Sequence, residues 1–208
     1  AVSRTIEADE HVRKYIKVVF LENYDVSKAE VIIPASDISE QISLAGKEAS
    51  GTSNMKFMMN GAVTLGTLDG ANVEISNFVG EDNAVIFGMR EEEVKAIKFN
   101  GTYNPFDIYN SDPQIKAVMD SLLDGTFSSD HEQFRMIFDE IMYRNDEFMV
   151  LKDLESYLQG CKKIESDYLN RDKWGRECLV NIACSGWFSS DRTIAEYNRD
   201  IWHLKKIH

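Results

Sequence analysis

Residues 45–67 read AGKEASGTSNMKFMMNGAVTLGT and consist of three consecutive segments that differ in composition. Residues 45–54 are small and hydrogen-bonding, which is typical of a tight loop. Residues 55–61 are mostly apolar and end in Gly61, which indicates a short helix closed by a glycine. Residues 62–67 predict a strand. A loop, a helix and a strand in this order are characteristic of a parallel α/β sheet.

The flanking segments extend this alternation. Residues 16–21, IKVVFL, are followed by the turn signal ENYD, so we predict a buried strand with Tyr24 at its carboxyl end. Residues 35–44 have mixed polarity and predict no element. The other predicted elements of this half are a helix at 27–33 that ends near Pro34, a turn at Asp69-Gly70, a helix at 71–78 and a strand at 84–87.

Beyond Arg90 the strand signals stop and helical periodicity takes over. The predicted helices are 113–123, 131–143, 152–170, 172–183 and 191–203. We therefore predict an α/β chain with a mostly parallel, doubly wound sheet in residues 1–90. Residues 91–208 form a C-terminal helical region that we expect to pack on the same domain.

Composition excludes several functional classes. A net charge of -12, spread along 208 residues, argues against nucleic acid or an anionic membrane as the main partner. No apolar run approaches the roughly 18 residues of a membrane span. Three cysteines without CxxC spacing predict buried free thiols in a reducing, cytoplasmic setting. The start without Met suggests a piece of a longer protein.

The loop at residues 48–56 has two interpretations. Its small residues could let backbone N–H groups point into an anion-binding nest, with the hydroxyls of Thr52 and Ser53 as further donors. Alternatively, Thr52 or Ser53 merely caps the helix that follows. The loop lacks the Gly-Lys-Ser/Thr ending of a Walker loop and is not Gly-x-Gly-x-x-Gly.

Lys56 also has two interpretations. It lies between Met55 and the run Phe57-Met58-Met59, and an apolar pocket would lower the pKa of its amine and favour covalent bonding to a carbonyl. The alternative is a surface lysine whose stem covers apolar neighbours.

The remaining polar and methionine clusters favour structural roles. Asp69 and Glu74 could be catalytic carboxylates, but turn and capping roles explain them more simply. Residues 91–93, EEE, indicate a solvated helix start, and the methionines at 55, 58 and 59 are expected to pack against the sheet. The histidines have no metal-ligand spacing and are expected to be surface or packing residues; they are His11, His131, His203 and His208.

Several motifs, in order along nearly the whole chain, resemble those of glycogen and maltodextrin phosphorylases. They are FLENYDVS (20–27), IPA (33–35), DISEQIS (37–43), EASGTSNMK (48–56), NGA (60–62), GTLDGANVE (66–74), FGM (87–89), DLESY (153–157), NIACSG (181–186) and FSSDRTI (188–194).

The resemblance implies a cofactor site. Lys56 falls on the lysine that carries pyridoxal phosphate as a covalent imine, Tyr24 and Val26 fall on positions lining the cofactor ring, and Thr52 and Ser53 fall on backbone donors to its phosphate. Glu48, Ala49, Ser50 and Gly51 match the loop that holds the hydroxyls of the transferred glucosyl unit. Ser53 departs from the glycine of many relatives, and a serine is tolerated there only if its backbone is not left-handed.

The implied architecture is the second half of a Rossmann-like domain of a two-domain glycosyltransferase (GT-B type). The implied reaction uses inorganic phosphate to release glucose 1-phosphate from α-1,4-glucan, with the cofactor phosphate as general acid, in a homodimeric parent enzyme. The family's other phosphate ligands lie earlier in sequence, so a catalytically inactive fragment with a structural or partial cofactor-binding role is the alternative. A sugar-nucleotide glycosyltransferase of the same architecture is a third interpretation.

Overall fold

The structure is a computed structural model that describes residues 1–205 of the 208. The described chain divides into two compact units, each built from two separate segments. The first unit comprises Ala1–Ala29 and Glu92–Glu155, and the second comprises Glu30–Glu91 and the chain from Ser156 onward. The proposed division at residue 90 stays a prediction, and His208 lies outside the described residues.

Helices dominate the described chain, with short strands confined to its first half. In chain order the elements are α1 (Val2–Ala8), α2 (Val26–Ile32), β1 (Ile38–Gln41), α3 (Ser53–Met59), β2 (Val63–Gly66), α4 (Asn72–Val79), β3 (Val85–Ile86), α5 (Glu91–Asn100), α6 (Pro105–Ser111), α7 (Pro113–Asp120), α8 (Arg135–Met142), α9 (Val150–Leu169), α10 (Arg171–Cys184) and α11 (Ser190–Tyr197).

The second unit contains a parallel sheet of order β1-β2-β3. Ile38 pairs with Val63 at the start of β1, and Leu65 pairs with Val85 across β2 and β3. The crossover from β1 to β2 contains α3, and the crossover from β2 to β3 contains α4. The predicted mixed α/β class and parallel sheet are therefore confirmed.

Both faces of the central strand are covered, because all four residues of β2 are buried. Val63 and Leu65 share a core with Ile164 of α9 and Trp174 of α10. Gly160 brings α9 close to the sheet, since a Cβ at this position would lie 3.0 Å from Cδ1 of Leu65. Within this unit, α9 and α10 therefore pack on the sheet.

The helix that carries Lys56 is anchored by one methionine. Met58 is fully buried in a cluster with Ile75, Val79 and Ala84. Met59, by contrast, is 57% exposed, and Met55 is half-buried. The prediction that all three methionines pack against the sheet is therefore wrong for Met59, because a seven-residue helix buries only one face.

The helical periodicity in residues 113–203 is confirmed, with shifted ends. The helix predicted from His131 begins only at Arg135, and the one predicted to reach His203 gives way after Tyr197 to a π-helical turn, Asn198–Trp202. The acidic run at 91–93 does begin a helix, α5. The sequence pattern does not predict α1 or α6.

The first unit has its own core between α7, α8 and the start of α9. It contains Ile115, Met119, Phe138, Met142 and Leu151. Asp112 caps α7, since its Oδ1 accepts hydrogen bonds from the N–H groups of Gln114 and Ile115, at 2.8 and 3.2 Å.

The buried strand predicted at residues 16–21 is wrong for this structure. The segment has no regular secondary structure and is exposed, and Phe20 is 85% exposed. The turn at Glu22-Asn23 is present, and Asn23 has a left-handed backbone with φ 49°. Apolar, β-branched residues become a buried strand only when neighbouring strands and a covering layer are supplied, and the sheet of the described residues consists of β1 to β3.

Conversely, residues 35–44 contain a strand that their composition did not predict. Ile38–Gln41 pairs with β2 over all four of its residues, and Ser39 is buried. Its polar sequence has little intrinsic preference for a strand, so the pairing with β2 determines its conformation.

The cysteines are free, as predicted, but they are half-buried and not fully buried. Burial raises the pKa of the Cys178 thiol above its usual value. His11, His131 and His203 are exposed, which confirms a surface role. Among residues 1–205, no helix combines the length and apolar character that crossing a membrane requires.

Candidate functional site

Two loops meet at the carboxyl ends of β1 and β2. One follows β1 and leads to α3; the other is the turn of residues 67–71 between β2 and α4. Thr67 joins them, because its N–H donates to Gln41 O at 3.1 Å and its hydroxyl donates to Ser43 O at 2.6 Å. Loops at the carboxyl edge of parallel strands are the usual place for ligand sites in α/β sheets.

Asp69 fixes the first part of the β1–α3 loop. Its carboxylate, only 6% exposed, accepts hydrogen bonds from three consecutive backbone N–H groups. Oδ1 accepts from Gly46 at 2.9 Å, and Oδ2 accepts from Lys47 at 3.2 Å and Glu48 at 2.7 Å. The turn role considered for Asp69 is therefore confirmed, while Glu74 is an exposed residue of the first turn of α4.

Gly70 and Ala71 fix the second part of the same loop. The N–H of Ala71 donates to Ser50 O at 2.7 Å. Gly70 has φ 52°, and a Cβ there would lie 2.4 Å from Ser50 O and 2.9 Å from Cγ of Glu48. The close approach of the two loops therefore requires a residue without a side chain at position 70.

A chain of buried amides ties the start of α3 to the turn. Nδ2 of Asn54 donates to Oδ1 of Asn72 at 3.0 Å, and Nδ2 of Asn72 donates to Thr67 O at 3.1 Å. Gly51, with φ 79°, lies over Asn54, because a Cβ on Gly51 would be 3.3 Å from both amide atoms. Residues 43–54 are thus held by the turn at several points.

Thr52 and Ser53 lie where the loop becomes α3. The side chain of Thr52 makes no capping hydrogen bond, so the interpretation that Thr52 caps the helix is wrong. Ser53 is the first helical residue and its backbone is not left-handed. A serine is therefore tolerated at this position, where many relatives have glycine. Within residues 1–205, the N–H groups of Thr52 and Ser53 have no hydrogen-bond partner.

Lys56 lies on the outward side of α3. Asn54 and Met58 form the buried side of this helix, and the Lys56 side chain is exposed. In the described part of the chain its amine makes no ion pair or hydrogen bond. The setting of Lys56 in this structure is therefore that of a surface lysine, and the described residues form no apolar pocket around it.

The structure brings most of the predicted site residues onto one continuous loop and helix. Glu48, Ala49 and Ser50 are exposed, and Gly51 is half-buried. Tyr24 and Val26 belong to the first unit, where their side chains are 60% and 74% exposed. Their place in the site stays a prediction.

Sequence patterns alone did not identify the residues that hold this loop in place. The pattern assigns no role to the side chains of Asn54, Thr67 and Asn72, and it favours only a turn, capping or catalytic role for Asp69. The signal for the three residues of the turn was the occurrence of Thr67, Asp69 and Asn72 at the end of a predicted strand. Such residues lie at the carboxyl edge of a parallel sheet, next to the loop of the preceding strand.

Comparison with known proteins identifies the family. The model of the carbohydrate phosphorylase family matches residues 1–204. A glycogen phosphorylase of Bacillus subtilis is 52% identical over 207 residues, which cover 100% of this chain and 26% of the relative. The glycogen phosphorylase of Haemophilus influenzae is 47% identical over 99% of the chain and 25% of the relative.

The match extends to animals. The brain form of glycogen phosphorylase of Mus musculus is 47% identical over 206 residues, 99% of this chain and 24% of the relative. The chain thus spans about a quarter of the length of these curated relatives. It belongs to the carbohydrate phosphorylase family.

Proposed function

We propose that this chain supplies the cofactor-binding part of an α-glucan phosphorylase of GT-B architecture. Such an enzyme cleaves the ends of α-1,4-glucan with inorganic phosphate and releases glucose 1-phosphate. The observation that carries the proposal is the continuous segment from Glu48 to Lys56, held against the turn after β2, in a chain whose relatives are named glycogen phosphorylases.

The chemistry of α3 fits pyridoxal phosphate. This cofactor presents an aldehyde and a phosphate, so it needs an amine and a group of N–H donors. Lys56 offers an exposed amine, and Thr52 and Ser53 offer N–H groups that no described residue uses. Ser53 and Lys56 are three residues apart, so they share a helix face about 4.5 Å apart along its axis.

Lys56 would anchor the cofactor covalently, and the N–H groups of Thr52 and Ser53 would bind its phosphate. When bound, the cofactor supplies a phosphate that acts as general acid beside inorganic phosphate. Tyr24 and Val26 would line its ring. Backbone N–H groups suit the phosphate because they stabilise negative charge without bringing a titratable group.

The loop Glu48–Gly51 would hold the transferred glucosyl unit. Glu48 has an exposed side chain at the sheet's carboxyl edge, and a carboxylate accepts charge-assisted hydrogen bonds from sugar hydroxyls. Ala49, Ser50 and Gly51 are small, so a sugar ring could approach their backbone closely. The substrates in this proposal are glucan and inorganic phosphate.

The chain alone is expected to be inactive, because it spans a quarter of its relatives and leaves the Lys56 face of α3 open. A structural or partial cofactor-binding module is therefore the second candidate function. It predicts the same cofactor attachment without phosphorolysis, and the complete enzyme is proposed to be a homodimer.

Attachment of pyridoxal phosphate tests the proposal. The chain is mixed with less than one equivalent of the cofactor, reduced with borohydride and mapped by mass spectrometry. We expect the adduct on Lys56, competition by inorganic phosphate, and loss of the adduct in Lys56→Arg. Lys47→Arg, a change to an exposed lysine of the same loop, is the control and should retain it. An adduct spread over other lysines, or unchanged in Lys56→Arg, would refute the assignment.

A further inference from the structure

Within the β1–α3 loop, the conformation of residues 46–48 depends on the buried carboxylate of Asp69. Asp69 accepts from three consecutive N–H groups, with the shortest distance, 2.7 Å, to Glu48. Among the described residues no basic side chain forms an ion pair with Asp69. The three backbone dipoles are therefore the main groups that stabilise its charge.

We propose that Asp69 is the positioning residue of the glucosyl-binding loop: by holding the backbone of residues 46–48, it aims the carboxylate of Glu48 at the sugar hydroxyls. The inference rests on the proposed function, since it assumes that Glu48 faces the sugar. Asp69 touches neither substrate nor cofactor in this proposal and acts through the loop.

The geometry around Glu48 supports this role. Its N–H is fixed by Asp69, and its Cγ lies near Gly70, the residue that follows Asp69. Ser50, two residues later, is fixed by the N–H of Ala71. Glu48 is therefore held between two residues of one turn, Asp69 and Ala71. Loss of the hydrogen bonds to Asp69 would release the backbone at Glu48, the residue proposed to bind the sugar.

An amide cannot replace this carboxylate. Asp69 uses both oxygens as acceptors, whereas asparagine has a single acceptor oxygen and an NH₂ that would face N–H donors. Asp69→Asn keeps the size of the side chain but leaves at least one of the three partly buried N–H groups without an acceptor. The substitution therefore tests the anchor without creating a cavity.

Amide hydrogen exchange of the chain tests the anchor directly. In Asp69→Asn we expect exchange at Gly46, Lys47 and Glu48 to become faster by roughly tenfold or more, with the amides of β2 unchanged. Glu74→Gln, which removes an exposed carboxylate five residues later, is the matched control and should leave residues 46–48 protected. Unchanged exchange in Asp69→Asn would overturn the inference.

Enzyme kinetics test whether loss of this anchor weakens sugar binding. The enzyme to be measured is the full-length phosphorylase that the proposed function implies. In Asp69→Asn we expect the KM for glucose 1-phosphate to rise roughly tenfold, with bound pyridoxal phosphate unchanged and kcat less affected. A KM equal to that of Glu74→Gln, or parallel losses of cofactor and sugar binding, would refute a positioning role. If the full-length protein shows no phosphorolysis, the proposed function fails, and the exchange result alone decides whether Asp69 holds the loop.

Discussion

The backbone N–H of Glu48 donates a 2.7 Å hydrogen bond to Oδ2 of Asp69. The two residues are 21 positions apart in sequence and lie on loops from two neighbouring parallel strands. A residue proposed to bind sugar is thus held by a residue that makes a turn. The site is therefore sensitive to changes at positions that touch no substrate.

Gly70→Ala is expected to lower the free energy of unfolding by about 3 kcal/mol, because alanine is disfavoured in the left-handed backbone of this position and its Cβ would clash with the neighbouring loop. The clash follows because the new Cβ would lie 2.4 Å from Ser50 O. Gly101→Ala is the control, since Gly101 has φ 61° and nothing within 4 Å of an added Cβ. Urea denaturation measures both, and equal losses would show that the two loops are not in close contact.

Met58→Ala is expected to destabilise the chain by about 2–5 kcal/mol, because it leaves a cavity under α3. Met58 is fully buried against Ile75 and Val79. Met59→Ala, one residue later and 57% exposed in the native chain, should change stability by less than about 0.5 kcal/mol. Chemical denaturation of the two variants gives the comparison. Similar losses would contradict the orientation of α3 that presents Lys56 outward.

A buried acidic pair between α9 and α10 predicts a pH dependence. Asp167 accepts hydrogen bonds from Lys163, at 3.0 Å, and from Lys173. Burial alone would raise the pKa of Asp167, but these two lysines together lower it. Glu177 is also buried, and its carboxylate lies 3.5 Å from the amine of Lys173. Burial is the largest cause that raises the pKa of Glu177 above the ordinary 4.5, and the negative charge of Asp167 is the second.

A raised pKa means that folded Glu177 binds its proton more tightly than the unfolded chain does. Its contribution to stability is present below the ordinary pKa and is lost as the pH rises through the raised one. Relative to the native chain, Glu177→Gln should therefore gain stability as the pH rises above the ordinary pKa of 4.5. Glu165→Gln, at an exposed position of α9, is the control for the loss of one charge. Denaturation curves at several pH values decide, and a gain that shrinks with rising pH would contradict the assignment.

The local pattern of the sequence predicted the parts of the fold that depend on neighbours along the chain. The loop before α3, the helix ending near Gly61 and the strand at residues 62–67 follow from turn residues and apolar spacing, and the structure contains all three. The long C-terminal helices were predictable for the same reason. The ends of these helices were not predictable. After Tyr197 the α-helix gives way to a π-helical turn, and apolar periodicity does not distinguish the two kinds of helix.

Pairing and exposure were decided by tertiary structure. The polar segment Ile38–Gln41 is a strand because β2 lies beside it, whereas the apolar segment at 16–21 forms no strand and is exposed. Lys56 and Met58 are two residues apart, and the packing of α4 and α10 against α3 determines which of them is buried.

By itself, the sequence determined the loop, helix and strand of residues 45–67, the family resemblance and the positions of the proposed site residues on that loop and helix. Only the tertiary structure decided that Asp69, Asn72 and Thr67 hold that loop. The physical reason is that helix, turn and strand preferences act between residues close in sequence. The hydrogen bonds that fix residues 46–54 depend instead on which loops parallel pairing brings to one edge of the sheet.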